Sequence, residues 1–115
     1  MKDRDVVDKI KKITPIASFG FDGDDCVSAI FTDSRCYFHG VLRLMTVDVK
    51  REVLSLISRL KNLRYLDLRK NRLGSFEIDL CNLKHLDLGS NYMGNLPRWI
   101  GNNNLEYLNL GVNEL

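Results

Sequence analysis

The sequence predicts an α/β solenoid, in which a curved parallel sheet with one strand per repeat follows an N-terminal α-helix and β-hairpin. Three observations carry the prediction. Leu63-x-x-Leu66-x-Leu68-x-x-Asn71-x-Leu73 returns as Leu83-x-x-Leu86-x-Leu88-x-x-Asn91-x-Met93, and again as Leu105-x-x-Leu108-x-Leu110-x-x-Asn113-x-Leu115, at steps of 20 and 22 residues. Within each copy Leu-x-Leu alternates with period two, which sends Leu66 and Leu68 to one face and Tyr65, Asp67 and Arg69 to the other. A unit of about twenty residues cannot bury an apolar face alone, so the copies must stack and align their strands into one arc.

The first element is a helix from Asp3 or Asp5 to Ile13. Val6, Val7, Ile10 and Ile13 share a stripe, while early aspartates and late Lys11 and Lys12 suit the helix dipole. Thr14-Pro15 stops it. Residues 16–21 and 26–31 flank the turn-rich Asp22-Gly23-Asp24-Asp25 and read as a β-hairpin. Residues 1–40 are therefore expected to cap the solenoid, shielding the first strand's edge and apolar side, with residues 41–115 holding one degenerate and three clear repeats, the last incomplete.

Between cap and clear repeats two registers compete. Leu42-x-Leu44-x-x-Val47-x-Val49 fits a degenerate copy 24 residues before Leu66, with valine in the asparagine slot, and Ile30-x-Thr32-x-x-Arg35-x-Tyr37 fits a poorer one 36 before. The spacing between them leaves no return path, so Leu42 to Val47 is taken as the first solenoid strand. On the return paths, Glu52 to Arg59 reads as a short helix, and Ser75 to Asn82 as irregular or 3₁₀.

The spacing L-x-x-L-x-L-x-x-N-x-L, found in three copies, resembles the leucine-rich repeat family. A short protein made of such repeats behind a helix and hairpin cap fits the whole chain. Leu96-Pro97-x-x-Ile100-Gly101 is similar to a variant in plant and bacterial repeats, which implies a 3₁₀ turn there. The resemblance implies that outward strand residues form a concave surface, with Tyr65, His85 and Tyr107 in one column, Asp67, Asp87 and Asn109 in the next, and Arg69 and Arg43 at the rim. Asn71, Asn91 and Asn113 fall where the chain leaves the strand. Their carboxamides can serve backbone groups that the turn strands in the core, forming a structural ladder, although asparagine is also an ordinary exposed turn residue.

Composition excludes several function classes. A net charge of +2, from 17 basic and 15 acidic residues interspersed along 115, makes no general case for nucleic acid or membrane. The first eight residues do not resemble a signal peptide, and no apolar run reaches membrane-spanning length. Cys26, Cys36 and Cys81 are an odd number at spacings that fit no zinc template, so they are expected to be reduced and buried; a Cys26–Cys36 disulfide or a Cys/His39 metal site is the alternative. A cytoplasmic protein is the default. Asp22 to Asp25 lacks the later glutamate of a calcium loop and reads as a solvated turn. No phosphate loop or paired-cysteine motif is present, so no cofactor is implied. His85 beside Asp67 and Asp87 is the nearest approach to acid–base chemistry, without a nucleophile or a cleft, and the chain is not expected to be an enzyme.

The leading functional expectation is therefore a non-catalytic protein–protein interaction module. It binds a polypeptide on the concave face through Tyr65, Asp67, Arg69, His85, Asp87, Tyr107 and Asn109, since rigid aromatics gain contact area at low entropic cost. The plain alternative is that these are β-forming residues on a solvated sheet. Two further alternatives are a self-assembling unit, a homodimer through an open C-terminal edge made of Trp99, Leu105, Leu108, Leu110 and Leu115, and a substrate-recognition fragment of a larger effector or ligase.

Overall fold

The computed structural model describes residues 3–13, 30–32, 35–38, 40, 42 and 45–113. The hairpin expected around Asp22 to Asp25 lies outside them. Helix α1 spans Asp3–Ile13 and buries Val6 and Ile10 completely, with Val7 and Ile13 packed on the same core, as its stripe requires. Its partner is α2, Val47–Ile57, which turns Val53, Leu54, Leu56 and Ile57 inward. Helix α2 starts five residues earlier than the expected Glu52. Thr46 explains why: its Oγ1 accepts from the Val49 amide at 3.3 Å, an N-cap, with Asp48 in the first turn.

Among the described residues five strands form one sheet in chain order: β1 Ile30–Thr32, β2 Arg35–Tyr37, β3 Tyr65–Asp67, β4 His85–Asp87 and β5 Tyr107–Asn109. Strands β1 and β2 are antiparallel, and β2 through β5 are parallel, with Cys36, Leu66, Leu86 and Leu108 in register. The solenoid expected from the repeats is present. Its first parallel strand, however, is Arg35–Tyr37 and not Leu42 to Val47. Leu42 is fully buried in the turn that follows β2, where its amide donates to Asn71 Oδ1 at 2.8 Å. The parallel sheet thus begins inside the segment assigned from sequence to the cap. Cys36 and Phe38, both fully buried, fill the slots of Leu66 and Leu68, and the step from 36 to 66 is 30 residues because this repeat's return path carries a helix of about three turns.

The later return paths are shorter and match expectation: residues 75–82 are without helix or strand, and Arg98–Asn102 is a 3₁₀ turn entered from Pro97. They still fill the core. Ile78, Leu80, Trp99 and Ile100 are buried there, and the Trp99 indole Nε1–H donates to the Phe76 carbonyl at 3.2 Å.

At the strand exits Lys70, Ser90 and Val112 have φ near +57°, where Gly40 stands at +72°, and Arg72 and Tyr92 are also left-handed. Non-glycine residues resist that conformation unless the surroundings over-determine it. The asparagines supply the constraint. Asn91 Nδ2 donates to the carbonyls of Leu68 (2.9 Å), Leu88 (3.0 Å) and Gly89 (3.3 Å), while its Oδ1 accepts from the amides of Asn71 (3.1 Å) and Leu73 (3.4 Å). Asn71 reaches back in the same way to the Phe38 and Leu68 carbonyls, and Asn113 to those of Leu88 and Leu110. Each side chain therefore ties its own turn to the preceding one. Asn103, not singled out from sequence, does this on the return side: its Oδ1 accepts from the Leu83 amide and its Nδ2 donates to the Leu80 and Trp99 carbonyls.

Candidate functional site

The parallel register places Arg35, Tyr65, His85 and Tyr107 side by side on four consecutive strands. Strands lie about 4.8 Å apart, close to the thickness of a stacked ring pair, so planar side chains in one slot can lie face to face. They do. The His85 ring sits 3.7 Å from that of Tyr65 and 4.2 Å from that of Tyr107, each at 9° between planes, and the Arg35 guanidinium carbon lies 5.5 Å from the Tyr65 centroid. Leucine spacing does not reveal Arg35, because it favours Leu42 to Val47 as the first strand.

The neighbouring column behaves differently from expectation. Asp67 and Asp87 are only 3% and 4% exposed and turn their oxygens to partners within the sheet. Asp67 Oδ1 accepts from the amide of Arg69 and Asp87 Oδ1 from that of Gly89, two residues on in each case, and Asn109 Oδ1 does the same for Gly111. Asn109 Nδ2 also donates to Asp87 Oδ1 at 3.1 Å. Arg69 closes the group: its Nη2 lies 2.9 Å from Asp67 Oδ2 and its Nε 3.3 Å from Asp87 Oδ2. Gly89 leaves room for the Asn109–Asp87 hydrogen bond, since an added Cβ would stand 3.3 Å from both Asp87 Oδ1 and Asn109 Nδ2. The two aspartates and Asn109 thus position Arg69, whose side chain keeps 43% of its surface exposed. Hydrogen bonding to Asp67 pushes the Arg69 pKa further up, so the guanidinium is a fixed, permanent charge.

Desolvation holds the His85 pKa below the ordinary 6.5, opposed by the field of Asp87 and Asp67 and assisted by that of Arg69 and Arg35. The folded state therefore binds fewer protons at His85 than the unfolded chain does. Stability from this group is complete above the unfolded value near 6.5, and is lost as pH falls through that value to the lower folded one. We predict that the melting temperature of native protein falls more steeply below pH 6.5 than that of His85→Phe, which keeps a stackable ring without a titrating nitrogen. Parallel melting curves across that pH range check this; coincident pH dependences would contradict it.

Of the residues assigned from sequence to a C-terminal edge, Leu105, Leu108 and Leu110 lie in or beside β5, the last strand of the sheet, and Trp99 does not. Trp99 is buried under the return path, Leu105 and Leu110 are half-buried, and Leu108 is 40% exposed where Leu66 and Leu86 are fully buried; Leu115 lies outside the described residues. Cys36 is a free, buried thiol whose pKa burial drives far up, with Asp67 adding to the effect, so it is chemically inert. Cys26 and His39, which the alternative disulfide and metal site require, lie outside the described residues. Cys81 is free too, but exposed, contrary to the expectation for a buried thiol. Among the described residues, no group of three or more His, Cys, Asp or Glu side chains could hold a metal ion, and no helix is long and apolar enough to cross a membrane.

The family model described as Leucine Rich Repeat matches residues 62–83 and 82–103. No curated protein and no solved structure matches the chain.

Proposed function

We propose that this chain, a leucine-rich repeat protein, binds a polypeptide partner non-covalently across its concave face. Leucine-rich repeats are generally protein–protein interaction modules, and the four-strand stack of Arg35, Tyr65, His85 and Tyr107 is the observation that carries the reading here. Ring faces are largely consumed by stacking, so the column offers ring edges and phenol hydroxyls. Side chains already held in place lose little entropy on binding. Arg69, pinned by Asp67, Asp87 and, through Asp87, Asn109, adds a pre-positioned charge beside them. Tyr65, His85, Tyr107 and Arg69 are accordingly the contact residues, with the two aspartates and Asn109 acting through Arg69. The cytoplasmic assignment belongs to the same proposal, supported by the odd cysteine count and interspersed charge.

Peptides selected for binding from a displayed library test the reading. Tyr65→Ala/His85→Ala/Tyr107→Ala is expected to weaken the selected binders by about thirty-fold or more, the scale of an interface hot spot. Undiminished affinity in a variant that still melts cooperatively would rule out the concave face.

A second reading, self-association through β5, is favoured by one observation, the 40% exposure of Leu108 in a slot fully buried in the two preceding repeats. Light scattering over a dilution series separates the two: a concentration-dependent mass supports pairing, and a constant monomer mass leaves the concave reading alone.

A further inference from the structure

Where β3 and β4 begin, a cavity of about 320 Å³ opens between Arg64 and Lys84 on one side and the Asn102–Asn104 segment on the other, with Asn82 and buried Leu83 in its wall. Its described lining holds two cations and no carboxylate. Arg64 and Lys84 occupy the same slot of consecutive repeats, each one residue before the paired Tyr65 and His85, so their backbones run side by side at the spacing of adjacent strands. Like charges in that relation repel. The next slot is Glu106, which is exposed, does not line the cavity and makes no ion pair with Lys84 among the described residues.

Hydrogen-bonding capacity in the cavity is unspent. Asn82 Nδ2 is committed to the Lys61 carbonyl and Asn103 to the return path, but among the described residues the Arg64 guanidinium and the Asn102 and Asn104 carboxamides have no side-chain partner. Lys84 Nζ reaches only the Asn104 carbonyl, at 3.5 Å. A planar guanidinium fork, an ammonium and two free carboxamides around one half-enclosed space match an oxyanion, which accepts from all of them and removes the repulsion between the two cations.

We propose that this cavity binds the phosphate or carboxylate group of a small ligand between Arg64 and Lys84, with Asn102 and Asn104 completing the contacts. The site is separate from the concave stack and does not depend on it. Its test is a titration of native protein with inorganic phosphate and with citrate, against chloride at matched ionic strength, followed by amide chemical shifts. Saturable shifts confined to residues around 64, 82–84 and 101–104 are expected, with at least a tenfold loss of affinity in Arg64→Gln and in Lys84→Gln. Phosphate binding without citrate binding assigns a phosphate ligand, the reverse a carboxylate, and both an oxyanion site without discrimination. Melting supplies a second readout: Lys84→Gln should raise the melting temperature in chloride by relieving the repulsion, and phosphate should raise that of native protein more than that of either variant. Shifts that fail to saturate, that chloride reproduces, or that both variants retain would overturn the proposal.

Discussion

Asn91→Ala is expected to lower stability by about 3 kcal/mol, a large fraction of what a domain of this size holds. Alanine removes a fully buried carboxamide and leaves the Leu68, Leu88 and Gly89 carbonyls and the Asn71 and Leu73 amides without it. Each buried polar group so abandoned costs about 1–3 kcal/mol, partly recovered if water enters. The turn itself adds to the loss, since Ser90 and Tyr92 hold φ of +57° on either side of Asn91 and the side-chain bonds are what fix them there. Asn91→Asp separates hydrogen bonding from volume. Aspartate fills the same space and keeps the acceptor, but sets a carboxylate oxygen against three carbonyl oxygens, so it should be at least as destabilising as alanine near neutral pH. Urea unfolding of the two variants decides the matter: a midpoint unchanged by Asn91→Ala, or Asn91→Asp close to native, would mean that the turn is held by something other than this side chain.

The asparagine slots, the Leu-x-Leu alternation and the α1 stripe could be read from sequence because each is a strict period that only one geometry satisfies. Residues 63–113 carry that period, and β3, β4, β5 and the 3₁₀ turn after Pro97 lie where it puts them. The first parallel strand breaks every part of the pattern. Cysteine and phenylalanine replace leucine at Cys36 and Phe38, valine stands at Val41 where Asn71 follows Leu66, and a helix stretches the step to 30 residues. Leucine spacing favours Leu42 and Leu44 over this strand and so gives no sign of Arg35 in the stack.

Period two also tells which face a side chain leaves from, but not how deep it ends. Tyr65, Asp67 and Arg69 share the concave side, yet Asp67 is buried beneath Arg69 while Tyr65 is only half-buried. The difference involves a residue twenty positions on: Asp87 shares the Arg69 guanidinium with Asp67. Such a dependence between repeats has no signature within any single copy. The same limit applied to Trp99, which reads as a spare aromatic near the end of the repeats and instead spans the return path to the Phe76 carbonyl.

Leu86→Ala and Leu108→Ala should differ sharply although the two leucines occupy one slot of adjacent repeats. Leu86 is fully buried between the layers contributed by β3 and β5, and truncating it leaves a cavity that neighbours on both sides are too constrained to fill, at a cost of about 3 kcal/mol. Leu108 is 40% exposed and packs on one side only, against the β4 layer. Its loss removes less buried surface and opens a notch that water can enter, so about 1 kcal/mol is expected. The contrast measures how burial accumulates along the solenoid, because every slot is covered by the repeat that follows it. Urea midpoints of the two variants at low protein concentration, where no second molecule covers β5, provide the comparison. Equal losses would show that the leucine of β5 is as well enclosed in solution as that of β4, and the open-edge reading of Leu108 would then have to be given up.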